Sequence, residues 1–434
     1  MNFMAREDAD ADGADKAESM RGPRLAPLAA GSFPGCMLPR RRTILQLLLA
    51  SVSVLFCILA LEVVVRALST SDIDGQRRFR STRLKPYRLP VKRVEQDLAA
   101  YRATDKTALI YDRELGWSQR PVVADHNAEG FITTGPAPAR ARPADRLRIA
   151  LFGDSFTQGN YRTGWWRVLE EQLNAAGVKC EVLNFGVGGY GMDQAYLRWQ
   201  RDGAPWQPHV VIFGFFAEDC YRNVNLLRLL RDPDSGIPFM KPRFIVEGEG
   251  LRLVNSPTPE PHAVPAILRE FDSWPLATRE HFYRPADFQM NAWRWCRLAA
   301  LVEAKTSLAR EAARAEEFFH MDGEAAQVAL RIVRKMRGEV EAAGAKFYVA
   351  HLPGEIEITS LRQSGRMRHE QLYAAVKAEN TVIPLEPALL AAAEGRDLSE
   401  FFGDGHYRAD FNAVTARVIA EFLQGEKVRG VGGE

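Results

Sequence analysis

Five short apolar runs, separated by stretches of helix length, constrain this chain more than any other feature in it. They are Arg148-Ile-Ala-Leu-Phe152, Lys179-Cys-Glu-Val-Leu-Asn-Phe185, His209-Val-Val-Ile-Phe-Gly-Phe-Phe216, Ala345-Lys-Phe-Tyr-Val-Ala-His-Leu352 and Thr381-Val-Ile-Pro-Leu385. The third is nearly continuous in apolar residues, as a parallel strand covered on both faces should be. Helical patterns are predicted at about 162–175, 192–202, 323–343, 366–378 and 410–423, the last with Phe411, Val414, Val418, Ile419 and Phe422 on one face. Strand and helix alternating at this spacing predict an α/β fold built on a doubly wound parallel sheet with right-handed crossovers. The pattern breaks from 224 to about 320, where Lys241–Val254 reads as a hairpin around Gly248 and Gly250. That stretch is expected to be an inserted subdomain, and its Trp274, Trp293 and Trp295 fit its core better than a sugar-stacking platform.

Ahead of this region, Thr43 to Leu61 runs nineteen residues without a charge before Glu62 and Arg66. At ~1.5 Å per residue such a helix crosses most of a ~30 Å hydrocarbon layer. A transmembrane helix over 43–66 is therefore expected, an uncleaved anchor because Val65-Arg66-Ala67 is a poor cleavage site. Arg40, Arg41 and Arg42 abut the span and favour a cytoplasmic amino terminus, although Arg77, Arg78, Arg80, Arg83 and Lys85 follow it. Long domains translocate largely regardless of charge, so the large domain is expected on the periplasmic side of a bacterial inner membrane. Residues 1–42 lack apolar periodicity and are expected as a disordered tail, 67–110 as a stalk, 111–425 as the main domain and 426–434 as a flexible tail. With 26% charged residues, a net charge of +2 and no basic stripe, nothing points to nucleic acid. The five cysteines form no C-x-x-C pair and no grouping with histidine, which argues against a zinc site or a disulfide scaffold.

Chemistry concentrates where the runs end. The first run passes through Gly153-Asp154-Ser155 into a helix, which presents Ser155 at the carboxyl end of a strand, where ligands of open α/β sheets bind. In these residues alone two readings stand: Ser155 as a nucleophile, or Asp154 or Ser155 as a helix cap. The second run leads into Gly186-Val-Gly-Gly-Tyr-Gly191, whose glycines allow close approach of a ligand. It lacks the ending of a P-loop, and no dinucleotide fingerprint lies on the first strand. The third run ends in Ala217-Glu-Asp-Cys-Tyr-Arg-Asn223, and late in the chain comes Asp404-Gly-His406. Serine first and histidine last is one chain order in which a nucleophile, a base and an orienting carboxylate assemble. His351, near the end of the fourth run, is a rival base, though a structural histidine fits that position better.

Gly153-Asp-Ser155, Asn184-Phe-Gly-Val-Gly-Gly189, Gly214-Phe-Phe-Ala-Glu-Asp219 and Asp404-Gly-His406 resemble, in order and spacing, the blocks of the SGNH hydrolases, or GDSL-type esterases. The resemblance covers about 111–423 and is nearest to membrane-anchored bacterial members. It implies a flavodoxin-like sheet and hydrolysis of carboxylic esters, in many members acetyl esters on carbohydrate, with neither metal nor cofactor. By the same resemblance Ser155, Asp404 and His406 form the triad, and Ser155 and Gly189 supply backbone donors to an oxyanion hole. Many relatives place the aspartate three residues before the histidine, where this chain has Gly403; Asp404, two before, could still share a side with His406 in an extended segment. The family's oxyanion-hole asparagine is replaced by Glu218. An ionised Glu218 would repel an oxyanion and a protonated one could donate to it; alternatively Asp219 or Asn223, with Asp154 as further site-lining residues, align differently. The expected function is serine esterase action on short acyl esters of a small molecule or of cell-surface or secreted glycan. The alternatives are O-acyl transfer to polysaccharide and a non-catalytic glycan-binding or assembly protein of the same fold.

Overall fold

The computed structural model describes residues 41–426 apart from Ala124 and Tyr161. The tails expected at 1–42 and 426–434 therefore lie almost wholly outside the described residues. The chain divides into two units, 1–60 and 61–434. The described part of the first is helical, belonging to the 28-residue helix Arg41–Leu68, which is long and apolar enough to cross a membrane.

In the second unit the five apolar runs form one parallel sheet: β1 (Leu147–Phe152), β2 (Cys180–Asn184), β3 (Val210–Phe215), β4 (Lys346–His351) and β5 (Val382–Ile383). Their order across the sheet is 2-1-3-4-5. Alternate residues enter opposite cores. Ala150, Phe152, Phe213 and Val349 pack on one side with helices Met192–Arg198 and Glu324–Ala342. Ile149, Leu151, Ile212 and Ala350 pack on the other with helices Trp165–Ala175 and Ala409–Gly425. Handedness explains the division. The β1-to-β2 crossover runs outward one way and those from β2 to β3 and β3 to β4 run the other way, so crossovers of one hand must use opposite faces. The reversal leaves a crevice beyond the carboxyl ends of β1 and β3, the topological switch point of such a sheet.

Three expectations need correction. Residues 67–110 are not a bare stalk: strands Ser69–Ser71, Arg77–Phe79 and Thr82–Arg83 form a small antiparallel sheet, and helix Val91–Ala103 follows. Val94 and Leu98, four apart on one helix face, are buried against Trp117 and Tyr190, which stabilises a helix that its weak apolar pattern did not reveal. Trp274 packs against the core of the insertion beside Phe271, but the other two tryptophans are not part of it. Trp293 is 77% exposed and Trp295 70%, because the 3-10 turn Ala292–Trp295 buries Arg294 instead. The hairpin does form, as Arg243–Glu247 with Gly250–Val254. Finally, the stretch between β4 and the helix expected at 366–378, which forms as Glu370–Glu379, is not a plain loop but holds a further helix, Glu355–Ser364.

Candidate active site

Gly153 turns the chain out of β1 with no room for a side chain, since a Cβ there would strike Thr157 Oγ1 and the Gly214 carbonyl. Asp154 then caps the short helix Ser155–Gln158, accepting from Phe156 N at 2.9 Å. Of the two residues offered as a cap, Asp154 takes that part, which leaves the Ser155 hydroxyl available. Ser155 Oγ lies 2.7 Å from His406 Nε2, across 251 positions of sequence. As the first residue of its helix, Ser155 has an N–H without an intrahelical acceptor.

His406 arrives on a two-residue hairpin between Phe402–Gly403 and His406–Tyr407. Both turn residues have positive φ, Asp404 at +50° and Gly405 at +76°, the backbone of a type I′ turn. Here the structure departs from the expectation for Asp404. The segment is a turn rather than extended, and the atom that meets His406 Nδ1 is the Asp404 carbonyl oxygen, at 2.8 Å. Nδ1–H donating to this carbonyl leaves Nε2 as the acceptor facing Ser155, so tautomer and ring orientation are set by backbone. A carbonyl carries no net charge and stabilises an imidazolium less than a carboxylate does. If Ser155 and His406 cleave esters, Asp404→Asn, which keeps both the carbonyl and tolerance of positive φ, should retain turnover within about tenfold of wild type, whereas loss of a true triad aspartate costs ~10⁴. Comparison of kcat for the two proteins checks this.

The glycine loop is held against the turn and short helix that carry Ser155 from several sides. Asn184 Nδ2 donates to the Thr157 and Gln158 carbonyls at 2.9 and 3.0 Å, and its Oδ1 accepts from Gly186 N at 2.9 Å. Gln158 Oε1 accepts from Gly188 N at 2.7 Å. The lead-in hairpin Leu109–Gln119 adds Trp117 Nε1 on the Gly188 carbonyl and Gln119 Nε2 on that of Gly186. Gly189 has φ of +81°, a conformation that favours glycine, and among the described residues nothing accepts from its N–H.

The other sequence-picked residues divide. Glu218 is about a third exposed and pairs with Arg231 Nη2 at 3.2 Å, with no hydrogen bond to Ser155 or His406. Asp219 is buried and supports the site from behind. Arg222 Nη1 donates to Asp219 Oδ1 at 2.5 Å, to Asp154 Oδ2 at 2.8 Å and to the Tyr190 carbonyl at 2.9 Å. One guanidinium cannot neutralise two carboxylates. Burial and the neighbouring Asp154 push the Asp219 carboxyl well above its ordinary range, and Arg222 only opposes that. Asn223 Oδ1 accepts from Met192 N at 3.0 Å and so starts the helix after the glycine loop; its buried Nδ2 has no hydrogen-bond partner. His351, the rival base, is wholly buried against Glu386 and His369 and does not meet Ser155.

Two positioning residues were missed in the sequence. Arg222 carried no signal beyond being an arginine near a strand end. Asn412 joins the two halves of the site: its Oδ1 accepts from Trp165 N at 3.1 Å, and its Nδ2 donates to the Tyr407 and Arg408 carbonyls at 2.9 and 3.1 Å. A polar residue inside the apolar pattern of the last helix was the only hint of it. Phe156 fills the space between them, with ring centroids 5.2 Å from His406, 5.1 Å from Tyr407 and 4.4 Å from Phe216.

No family model matches this chain, and no curated protein matches it. Solved structures are similar at a distance. Axe2, an acetylxylan esterase from Geobacillus stearothermophilus, is 13% identical with a TM-score of 0.36, over 67% of this chain and 98% of that one. The acetyl xylan esterase AlAXEase is 14% identical with a TM-score of 0.36, over 64% and 100%. LAE5, an alpha/beta hydrolase enzyme from the metagenome of Lake Arreo, Spain, is 12% identical with a TM-score of 0.35, over 67% and 98%. Likenesses this distant leave the functional reading to the geometry of Ser155 and His406.

Proposed function

We propose that this chain is a serine ester hydrolase of the SGNH type, acting on short acyl esters, acetyl above all, of cell-surface or secreted glycan. It is held in a bacterial inner membrane by the helix Arg41–Leu68 with its catalytic unit in the periplasm. The observation that carries the reading is the 2.7 Å contact between Ser155 Oγ and His406 Nε2 at the sheet's switch point. In the forward step Ser155 Oγ attacks the ester carbonyl while Nε2 takes its proton, and the N–H groups of Ser155 and Gly189 receive the developing oxyanion. Nε2–H then protonates the departing alcohol, and water, deprotonated by the same nitrogen, releases the acid from the acyl-enzyme. Labelling of the intact protein by a fluorophosphonate, with the adduct mapped to the Ser155 peptide, tests this reading; no adduct on folded protein would overturn it.

The Glu218–Arg231 pair favours a second reading, a fold kept for glycan binding with little turnover. The Glu218 side chain accepts from Arg231 and carries no amide N–H where the family has one. Replacing it with asparagine should raise kcat on p-nitrophenyl acetate, by up to ~10²-fold if the amide reaches the oxyanion. An unchanged or lower rate would show that residue 218 lies outside the oxyanion hole.

A further inference from the structure

Beside this site, the carboxyl end of β4 holds a second cluster that ester chemistry does not use. His351 ends β4, Glu357 lies in the first turn of helix Glu355–Ser364, His369 precedes helix Glu370–Glu379 and Glu386 opens helix Glu386–Ala392. All four are buried, the two histidines to 0% and 1% exposure. The rings of Phe215, Phe319 and Tyr373 surround the imidazoles.

With both imidazoles neutral and both glutamates ionised, the hydrogen-bonded chain of this cluster does not close. Glu386 Oε1 accepts from His351 Nδ1, which leaves His351 Nε2 as a lone pair. His369 Nε2, 3.0 Å away, must then donate to it. That turns the other nitrogen of His369, Nδ1, into a lone pair 3.2 Å from Glu357 Oε1, where it has no hydrogen-bond partner. Two acceptors face each other in an apolar interior, an arrangement that costs free energy unless a proton or a cation lies between them. The second oxygen of Glu357 is already engaged by Gly354 N at 2.7 Å.

We propose that His351, His369 and Glu357 bind one divalent cation, with zinc the best match. One nitrogen or oxygen from each lies within 4.8 Å of the others. Ligands about 2.0–2.1 Å from a tetrahedral zinc sit roughly 3.3 Å apart, so an inward movement of up to about 1.5 Å brings the three to bonding distance, with a water as the fourth ligand. Two imidazoles and a carboxylate suit zinc better than magnesium or calcium. Glu386 on His351 Nδ1 is the carboxylate–histidine–metal arrangement that orients a ligating ring. The cation would clamp three segments at the end of β4, and through His351 the Glu386 helix as well, next to the Tyr407 hydroxyl on the Pro353 carbonyl at 2.8 Å and so to the hairpin of His406. Its role is structural and separate from ester cleavage.

The test uses the full chain in detergent, stripped with chelator, freed of any histidine tag and titrated with Co²⁺. Expected is uptake of one equivalent with the intense visible bands of four-coordinate Co²⁺, lost on adding Zn²⁺, together with a rise in unfolding temperature on Zn²⁺ binding. Glu386→Gln should weaken binding by about 10–100-fold. His369→Gln and Glu357→Gln should abolish the spectrum. Wild-type protein that neither takes up Co²⁺ nor responds to Zn²⁺, or uptake unchanged in His369→Gln, overturns the proposal; the cluster would then be closed by a proton on Glu357.

Discussion

Ser155→Ala should lower kcat for p-nitrophenyl acetate by about 10⁴- to 10⁶-fold and abolish fluorophosphonate labelling while leaving the folded protein intact. The size follows from how the site is built. Ser155 Oγ has one base partner, His406 Nε2, and no other described side chain hydrogen-bonds to it. His351, wholly buried and bonded at both ring nitrogens, cannot substitute as base. For the same reason His406→Gln should cost nearly as much as Ser155→Ala, and the double variant little more than either alone, because nucleophile and base act as one unit. Residual activity would come from backbone donors that neither substitution touches. Three rates measured under one condition decide the matter. Single losses that multiply in the double variant would mean that the two residues act in separate steps, and labelling that persists in Ser155→Ala would place the nucleophile elsewhere.

The largest expected effect on stability lies behind the site, at Lys241. Its ammonium pairs with Asp193 and donates to the Arg222 and Asn225 carbonyls at 3.1 and 3.3 Å, with Lys241 and Asp193 both buried. Burial pushes the lysine down and the aspartate up, each toward its neutral form, so the pair only partly offsets the cost of desolvating two charges. Lys241→Met would leave Asp193 buried without its cation, at a cost of about 3–5 kcal/mol. In a unit this large that corresponds to a fall of roughly 4–6 °C in apparent unfolding temperature. Lys241→Met combined with Asp193→Leu removes both charges and should recover more than half of the loss, since an apolar pair of similar volume is often no worse than a buried ion pair. Thermal unfolding of the three proteins checks this. A single variant as stable as wild type would mean that Asp193 takes up a proton at little cost.

Lys241 lies two residues before the Arg243–Glu247 strand of the hairpin, yet it meets the segment after β3 that carries Arg222. The insertion therefore braces the site through its backbone. Glu280 does the same further on, accepting from Leu227 N at 3.1 Å and Phe282 N at 3.0 Å while also engaging Asn225. Neither contact has a local signature, because a lysine before a strand and a glutamate in an irregular stretch read as solvated charges until the chain is folded.

The Asp404-Gly405 pair shows where reading stopped short for a different reason. Asp-Gly flanked by Phe402 and Tyr407 is a strong type I′ hairpin signal, and positive φ at both residues is what that turn requires. Reading the segment as extended placed the Asp404 carboxylate beside His406, whereas the turn swings it away and offers the carbonyl. The cue was present, and the family pattern of an aspartate near the histidine overrode it. The cluster of His351, Glu357, His369 and Glu386 had no such cue. Its members are spaced 6, 12 and 17 residues apart on four elements, and only the closing of those elements around the end of β4 brings them together.

The amino-acid sequence by itself determined the alternation of apolar runs and helices, hence a parallel sheet, and with it the place of Ser155 at a strand end. It determined the apolar helix near the amino terminus and the order of the four motif blocks. These properties are local: periodicity, turn chemistry and capping act over a few residues, and the order of elements follows from chain connectivity. Only the tertiary structure decided which atom of residue 404 meets His406, that Glu218 pairs with Arg231, and that Arg222 and Asn412 tie the site together. Those pairings join side chains from separate elements, and their energies depend on burial and on angles set by the packing of the sheet. The Ser155–His406 contact belongs to both, foreseen as a pairing of residue types and made specific by a hairpin whose backbone, rather than its aspartate side chain, aims the ring.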